Sequence, residues 1–319
     1  MRIYAASAIV AVALTCVGCG GKTRVIAAAD VPAPSTTELA QVWIDPGATP
    51  RDLFWGFGGE QHAPPAAATY RFVNRDDTGF SVSYDVTGPD GIEWSAKIGP
   101  EAQTEVVVSR ILWGLGYHQP PLYYLPSWTL ESGSARRESE ARFRPKLPQL
   151  QRAAEYWKWS DNPFLGARPF RGMLVALLML NATDLKDDNN SIYEVQDGWD
   201  GARRWFVVRD LGAALGETGK LYPRRNWLEG FERGGFITAV KGREVEFDYR
   251  GRHQQMLSMI GPDDVRWTAE RMSRLTPAQW RDAFRAANYA EPIADRFIRK
   301  IQSKVAAGLA LGVSTPPAE

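Results

Sequence analysis

Residues 180–212, LNATDLKDDNNSIYEVQDGWDGARRWFVVRDLG, constrain the chain more than any other stretch. They end an unbroken apolar run over 173–180, and apolarity sustained for more than two helical turns marks a buried helix. A polar loop follows, in which Asp184 stands five positions before Asn189. Two short strand-like runs, 192–195 and 205–208, are joined by a Gly/Asp turn and read as a hairpin. The stretch closes on Arg209, Asp210, Leu211 and Gly212. A buried helix, a polar loop, a hairpin and an acidic turn in this order commit the chain to a mixed α+β fold. Taken alone, the polar loop is equally readable as a turn between helix and hairpin.

The upstream half supplies a sheet. Runs at 70–74, 80–86 and 92–98 read as three antiparallel strands, separated by turns at 76–79 and 87–91. The third strand carries Trp94, Ser95, Ala96 and Lys97. A helix is expected over 102–115, started by Pro100 and Glu101 and ended by Gly116, with Val108, Ile111, Leu112 and Leu115 on its apolar face. Glu105 falls on that same face, where a carboxylate is costly unless paired. An ion pair with Lys97 would account for it; Glu101, one turn earlier, is the competing partner. Residues 143–150 are expected to complete a five-stranded sheet and to form a hinge.

Asp184, Asn189 and Asp210-Leu211-Gly212, preceded by a strand ending in Ala96-Lys97 and a helix carrying Glu105, resemble the active-site order of protein kinases. The resemblance is to divergent members of the kinase-like superfamily, of the atypical bacterial and secretory type. It covers residues 70–212 by motif and the later helices by type only. It implies a two-lobed fold, with an antiparallel sheet and one long helix in an N-lobe over 51–150 and a mainly helical C-lobe over 151–319. It also implies roles. Lys97, held by Glu105, would bind the nucleotide phosphates. Asp210 and Asn189, helped by Asn190, would bind Mg²⁺ or Mn²⁺ through hard oxygen atoms. Asp184 would orient or accept the proton of the attacking hydroxyl, and Lys186 would touch the γ-phosphate of ATP. The sequence departs from the family pattern in four places. Ala182 and Thr183 replace the His and Arg of H-R-D, and Leu211 replaces the Phe of D-F-G. No A-P-E follows. The nucleotide-loop position carries Asp76 and Asp77 with only Gly79, and two carboxylates there would repel a triphosphate.

The N-terminus reads as a targeting segment. Arg2 precedes a short apolar stretch, and Cys19 follows small residues as in a bacterial lipoprotein signal, with Cys16 as a weaker alternative and an ordinary secretory signal as the plainer reading. The expectation is a signal peptide over 1–18, lipidation of Cys19, membrane attachment in the cell envelope, and an Ala/Pro/Thr/Ser-rich tether over 19–50 with some order near 42–44. Both cysteines lie in this segment, so the rest of the chain has neither disulfides nor a thiol nucleophile. The three histidines, His62, His118 and His253, are scattered and read as ordinary surface or core residues. A formal net charge of +1 gives no basic field for nucleic acid. The Gly-rich run at 55–60 matches no phosphate-loop pattern and reads as a loop leading into the sheet. Twelve tryptophans are too many to leave exposed and are assigned mainly to cores or grooves.

After Gly212 the chain reads as a partly basic loop to about residue 250, with Lys220, Arg224 and Arg225. Helices follow over 262–274, 278–287 (capped by Thr276 with Pro277 in the first turn) and 291–311. Two functions compete. One is a lipid-anchored phosphotransferase that uses ATP and divalent metal on a protein or small hydroxyl acceptor. The other is a catalytically silent kinase-like scaffold or binding lipoprotein.

Overall fold

The computed structural model describes residues 32–182, 184–218 and 224–312. The signal segment with Cys16 and Cys19, the position of Thr183, and Lys220 lie outside the described residues. A short helix, α1 (Thr36–Leu39), is closed by a capping box between Ser35 and Glu38. The upper lobe is then built from β1 (Thr69–Asp76), β2 (Ser83–Thr87), β3 (Glu93–Ile98), helix α2 (Glu101–Gly114), β4 (Tyr123–Leu125), β5 (Trp128–Ser132), β6 (Ser134–Glu138) and β7 (Ala141–Pro145). The strands form one sheet in the order β4-β7-β3-β2-β1-β5-β6.

Five of these strands make the antiparallel sheet expected from the sequence. The other two, β5 and β6, are a hairpin added beyond β1, and β5 runs parallel to β1. Residues 131–138, rich in charge, supply much of this edge hairpin. β6 is mostly exposed, so its charged side chains stay in water while the backbone is paired. Strand β2 starts at Ser83 rather than at residue 80. Phe80 stands 70% exposed, and its ring is covered by the Arg225 guanidinium at 3.8 Å instead of by the sheet.

Strand alternation sorts the central residues onto two faces. Tyr84, Val86, Trp94, Ala96 and Phe143 join Tyr70, Tyr123 and Trp128 in an aromatic core. The residues between them, Ser83, Asp85, Ser95, Lys97, Arg142 and Arg144, line a cleft. Helix α2 packs on strands of this sheet with its carboxylates toward the cleft, while its Val106, Val107, Ile111 and Leu112 enter the main core shared with the lower lobe. The Gly-rich run at 55–60 folds against the far end of α2. A Cβ on Gly56 would collide with the buried Arg110 guanidinium at 2.2 Å, so this glycine serves close packing and not phosphate binding.

From β7 residues 146–149 lead into β8 (Leu150–Arg152), which pairs with β9 (Asn190–Val195), itself paired with β10 (Arg204–Val208). The lower lobe is otherwise mainly helical: α3 (Arg168–Met179), α4 (Leu228–Arg233), α5 (Gln254–Leu257), α6 (Pro262–Ser273), α7 (Pro277–Arg285) and α8 (Glu291–Leu309). Helix α3 is the buried helix expected from its apolar run. Asn181 ends it with a φ of +51°, in the left-handed region that Asn tolerates, and its side chain bonds Gly216 O at 2.7 Å. Lys304 of α8 donates to Met179 O at 3.0 Å and to Asn181 Oδ1 at 2.7 Å, which pins the start of the following loop. Thr276 caps α7 in a capping box with Gln279, and Pro277 opens the helix as expected. The stretch expected to be loop up to residue 250 holds α4 and a second hairpin, β11 (Ile237–Lys241) and β12 (Glu244–Phe247), turned by Gly242 at a φ of +61°.

Residues 40–44 of the expected tether are packed against the body. Trp43 Nε1 donates to Leu115 O at 2.8 Å, Ile44 N to Gly116 O at 3.0 Å, and Phe206 N of β10 to Gln41 O at 2.8 Å. Val42 is buried, in line with the order expected near 42–44. The two-lobed α+β arrangement implied by the sequence, a sheet with one long helix above a mainly helical lobe, is the one observed.

Candidate active site

A cleft of about 850 Å³ lies between the charged face of the sheet, α2, and the loops around β9 and β10. Lys97, Glu105, Asp184, Lys186, Asn189 and Asp210 all line it, although they come from segments up to 113 residues apart. The six residues that the resemblance implies for the site therefore line one cleft.

Lys97, next to last in β3, has its ammonium among three carboxylates: Glu101 at 2.8 Å, Asp210 at 3.1 Å and Glu105 at 3.6 Å. The expected pairing is redistributed. Glu101 is the close helix partner of Lys97, and it also accepts from Ser81 at 2.9 Å and pairs with Arg225 at 2.6 Å. Glu105 is held chiefly by Arg144 at 2.6 Å and Arg142 at 3.0 Å. The reason is register. Lys97 lies opposite Arg142 and Ser95 opposite Arg144, so β7 offers two guanidinium groups to a carboxylate one helical turn beyond Glu101. Burial opposes the charge on both partners. For Lys97 the carboxylates of Glu105, Asp210 and Glu101 outweigh that penalty and hold the ammonium above its ordinary pKa. For Glu105, Arg142, Lys97 and Arg144 outweigh it and hold the carboxyl below the usual range.

Asp210 carries the chain from β10 into the Leu211-Gly212 turn. Burial raises its pKa, but Lys97 and Arg142, with the Gly212 N–H, outweigh this and bring it down to about 2. Its Oδ1 takes both Lys97 and Gly212 N, the latter at 3.4 Å. Gly212 is required by crowding: a Cβ there would meet Glu101 at 2.5 Å, and Thr104 Oγ1 already bonds its carbonyl at 2.7 Å. Asn189 lies beside Asp210, because the Asp210 N–H donates to Asn189 O at 3.1 Å. The Asn189 amide donates to Asp184 O at 2.7 Å, and Lys186 Nζ lies 3.1 Å from Asp184 Oδ2. Asn190 is different. It is fully buried and donates to Trp157 O at 3.0 Å, so it braces the loop from behind and takes no place in the cleft. Asp187 likewise caps structure, accepting from Trp159 N at 2.9 Å.

The donor set fits a hard divalent cation. Within the described residues, Oδ2 of Asp210 and Oδ1 of Asn189 have no hydrogen-bond partner, and both residues line the cleft. No group of three His, Cys, Asp or Glu side chains forms a metal cage among the described residues. Mg²⁺ bound to phosphate needs only one or two protein oxygens of this kind.

Several cleft residues escaped the sequence reading. Arg142, Arg144, Arg152, Arg209 and Tyr193 line one end, and Ser81 and Arg225 line the opposite side. A signal existed for two of them: Arg142 and Arg144 flank Phe143 in a strand-like run, so both must share the face opposite the aromatic core. Asp76, which threatened the nucleotide-loop position, does line the cleft. Its Oδ1 is engaged by Thr78 N at 3.0 Å and Thr78 Oγ1 at 2.7 Å, a turn closed on itself.

No protein-family model matches the sequence, and no curated protein matches it. In shape the chain is similar to the Helicobacter pylori proinflammatory kinase CtkA, at 10% identity and a TM-score of 0.42, over 76% of this chain and 94% of that one. It is also similar to the Golgi casein kinase, at 10% identity and a TM-score of 0.40, over 78% of this chain and 73% of that one. The likeness is one of fold.

Proposed function

We propose that this chain is an exported, lipid-anchored phosphotransferase that binds ATP with Mg²⁺ or Mn²⁺ in the interlobe cleft and phosphorylates a hydroxyl acceptor of the cell envelope. The observation that carries the reading is the 3.1 Å contact of Lys97 with Asp210, made across the two lobes beside Asp184 and Asn189. Phosphoryl transfer asks the protein mainly for charge neutralisation and alignment. Asp210 and Asn189 would hold the metal, which shields phosphate charge when bound. Lys97, positioned by Glu101 and Glu105, would hold phosphate oxygens. Asp184 would take the acceptor hydroxyl's proton, with Lys186 beside it to balance its charge. Anchoring through Cys19 rests on the signal-like N-terminus.

A second reading, a silent kinase-like scaffold, draws on Asp76, an acidic residue that lines the same cleft as Lys97 and Asp210 and would repel a triphosphate there. Thermal-shift titration of the full chain separates the two. The active reading expects a midpoint rise with millimolar ATP and Mg²⁺ or Mn²⁺, lost in Lys97→Ala and in Asp210→Ala, because a ligand bound to the native state alone stabilises it by mass action. The same curve with and without nucleotide retires the enzyme and leaves the scaffold.

A further inference from the structure

The side of the cleft next to residues 146–149 gathers four arginines. Arg142 and Arg144 reach it from β7, Arg152 from β8, and Arg209 from the residue before Asp210. Arg152 is paired in register with Tyr193, so the cluster sits directly over β9. These four guanidinium groups meet one carboxylate at ion-pair distance among the described residues, Glu105, and it is taken by Arg142 and Arg144. Arg144 is 5% exposed. One of its nitrogens serves Glu105 and Arg209 O, while Nε and Nη1 are buried with no hydrogen-bond partner. Nε of Arg209 is also buried without a hydrogen-bond partner, although burial of this guanidinium is outweighed by Tyr193, Glu105 and Asp210, which hold it above its ordinary pKa. Burial, with repulsion from Arg209 and Arg142, pushes the Arg144 guanidinium down to about 9, still charged at neutral pH.

Buried, mutually repelling cations with unused N–H donors are costly unless something meets them. Planar guanidinium forks match the oxygens of phosphate or carboxylate. A neutral, flat base would leave both the charge and the donors unmet. We propose that this side of the cleft is a subsite for a phosphate-type oxyanion, held by Arg144, Arg209 and Arg152 and independent of the divalent metal. The bound ligand then carries anionic oxygen on the arginine-lined side of the cleft. Two sources share this chemistry: a phosphate of the nucleotide itself, lying along the cleft in that direction, or a phosphorylated acceptor.

The test is calorimetric titration of the full chain with inorganic pyrophosphate in EDTA. Binding that strengthens as salt is lowered is expected. It should weaken about tenfold or more in Arg209→Gln and in Arg152→Gln, as for loss of a charged hydrogen-bond partner, and should not weaken in Asp210→Ala. Arg152 is exposed, so its variant keeps the core intact and separates loss of binding from loss of fold. Pyrophosphate that blocks Mg²⁺-ATP assigns the subsite to the nucleotide; pyrophosphate that leaves Mg²⁺-ATP binding unchanged assigns it to the acceptor. Binding indifferent to both arginine variants, or abolished by EDTA, overturns the subsite. An absent Mg²⁺-ATP response beside intact pyrophosphate binding would strike the phosphotransferase reading alone.

Discussion

The two faces of the upper sheet share the same strands and little else. On one, Phe143 packs edge-on or tilted against Tyr70, Trp94 and Trp128 with ring centroids 5.0–6.0 Å apart. On the other, the neighbouring Arg142 and Arg144 hold Glu105, and Lys97 reaches Asp210. One face works by excluding water, is indifferent to pH, and tolerates no loss of volume. The other works by matched charge, titrates, and keeps donors available. A single residue of register separates the two, so a strand slip would exchange the aromatic core for the cleft lining.

The sharpest way to break this division is Phe143→Ala. It should cost about 3–5 kcal/mol in urea unfolding, the range for deleting a buried aromatic ring, and the penalty should be the same at pH 3 and pH 7. Asp210→Asn examines the other face. Asp210 titrates near 2 in the folded protein against an ordinary 3.8, so its contribution is complete above the unfolded value and is lost as pH falls through about 2. The stability gap between the parent chain and this variant should therefore close on acidification from about pH 5 to 2. A gap that stays constant would mean that Lys97 does not stabilise the ionised carboxylate. The smallest effect is expected for Arg225→Ala, which uncovers Phe80 and removes one partner of Glu101. The stacking contribution should be about 0.5–1 kcal/mol, measured by urea unfolding. An indifferent result would mean that the contact holds no part of the 76–81 loop in place.

The sequence revealed most where a residue's neighbours along the chain decide its surroundings. Local pattern set Lys97 in an alternating strand, Asp184 after a buried helix and Asp210 after a hairpin, and the kinase-like order of those elements implied that all three share one cleft. The division of labour between Glu101 and Glu105 was not legible, because it depends on β7 lying beside β3, a pairing between residues about fifty positions apart. Arg152 and Arg209 were missed for a similar reason. Each is an unremarkable cation on its own segment and becomes part of a cluster only when β8 and β10 flank β9. β6 and the β11–β12 hairpin were not legible as strands because they are short and mostly solvated, which hides the period-two pattern.

The packed segment at residues 40–44 has a mechanical consequence. It is bonded to the end of α2 in one direction and to β10 in the other, so it ties the lobes together in addition to the core they share through α2 and the connection at residues 146–149. Each such tie removes a way for the lobes to move apart. Any pull transmitted through the chain ahead of residue 40 would bear on both lobes at once and not on either alone.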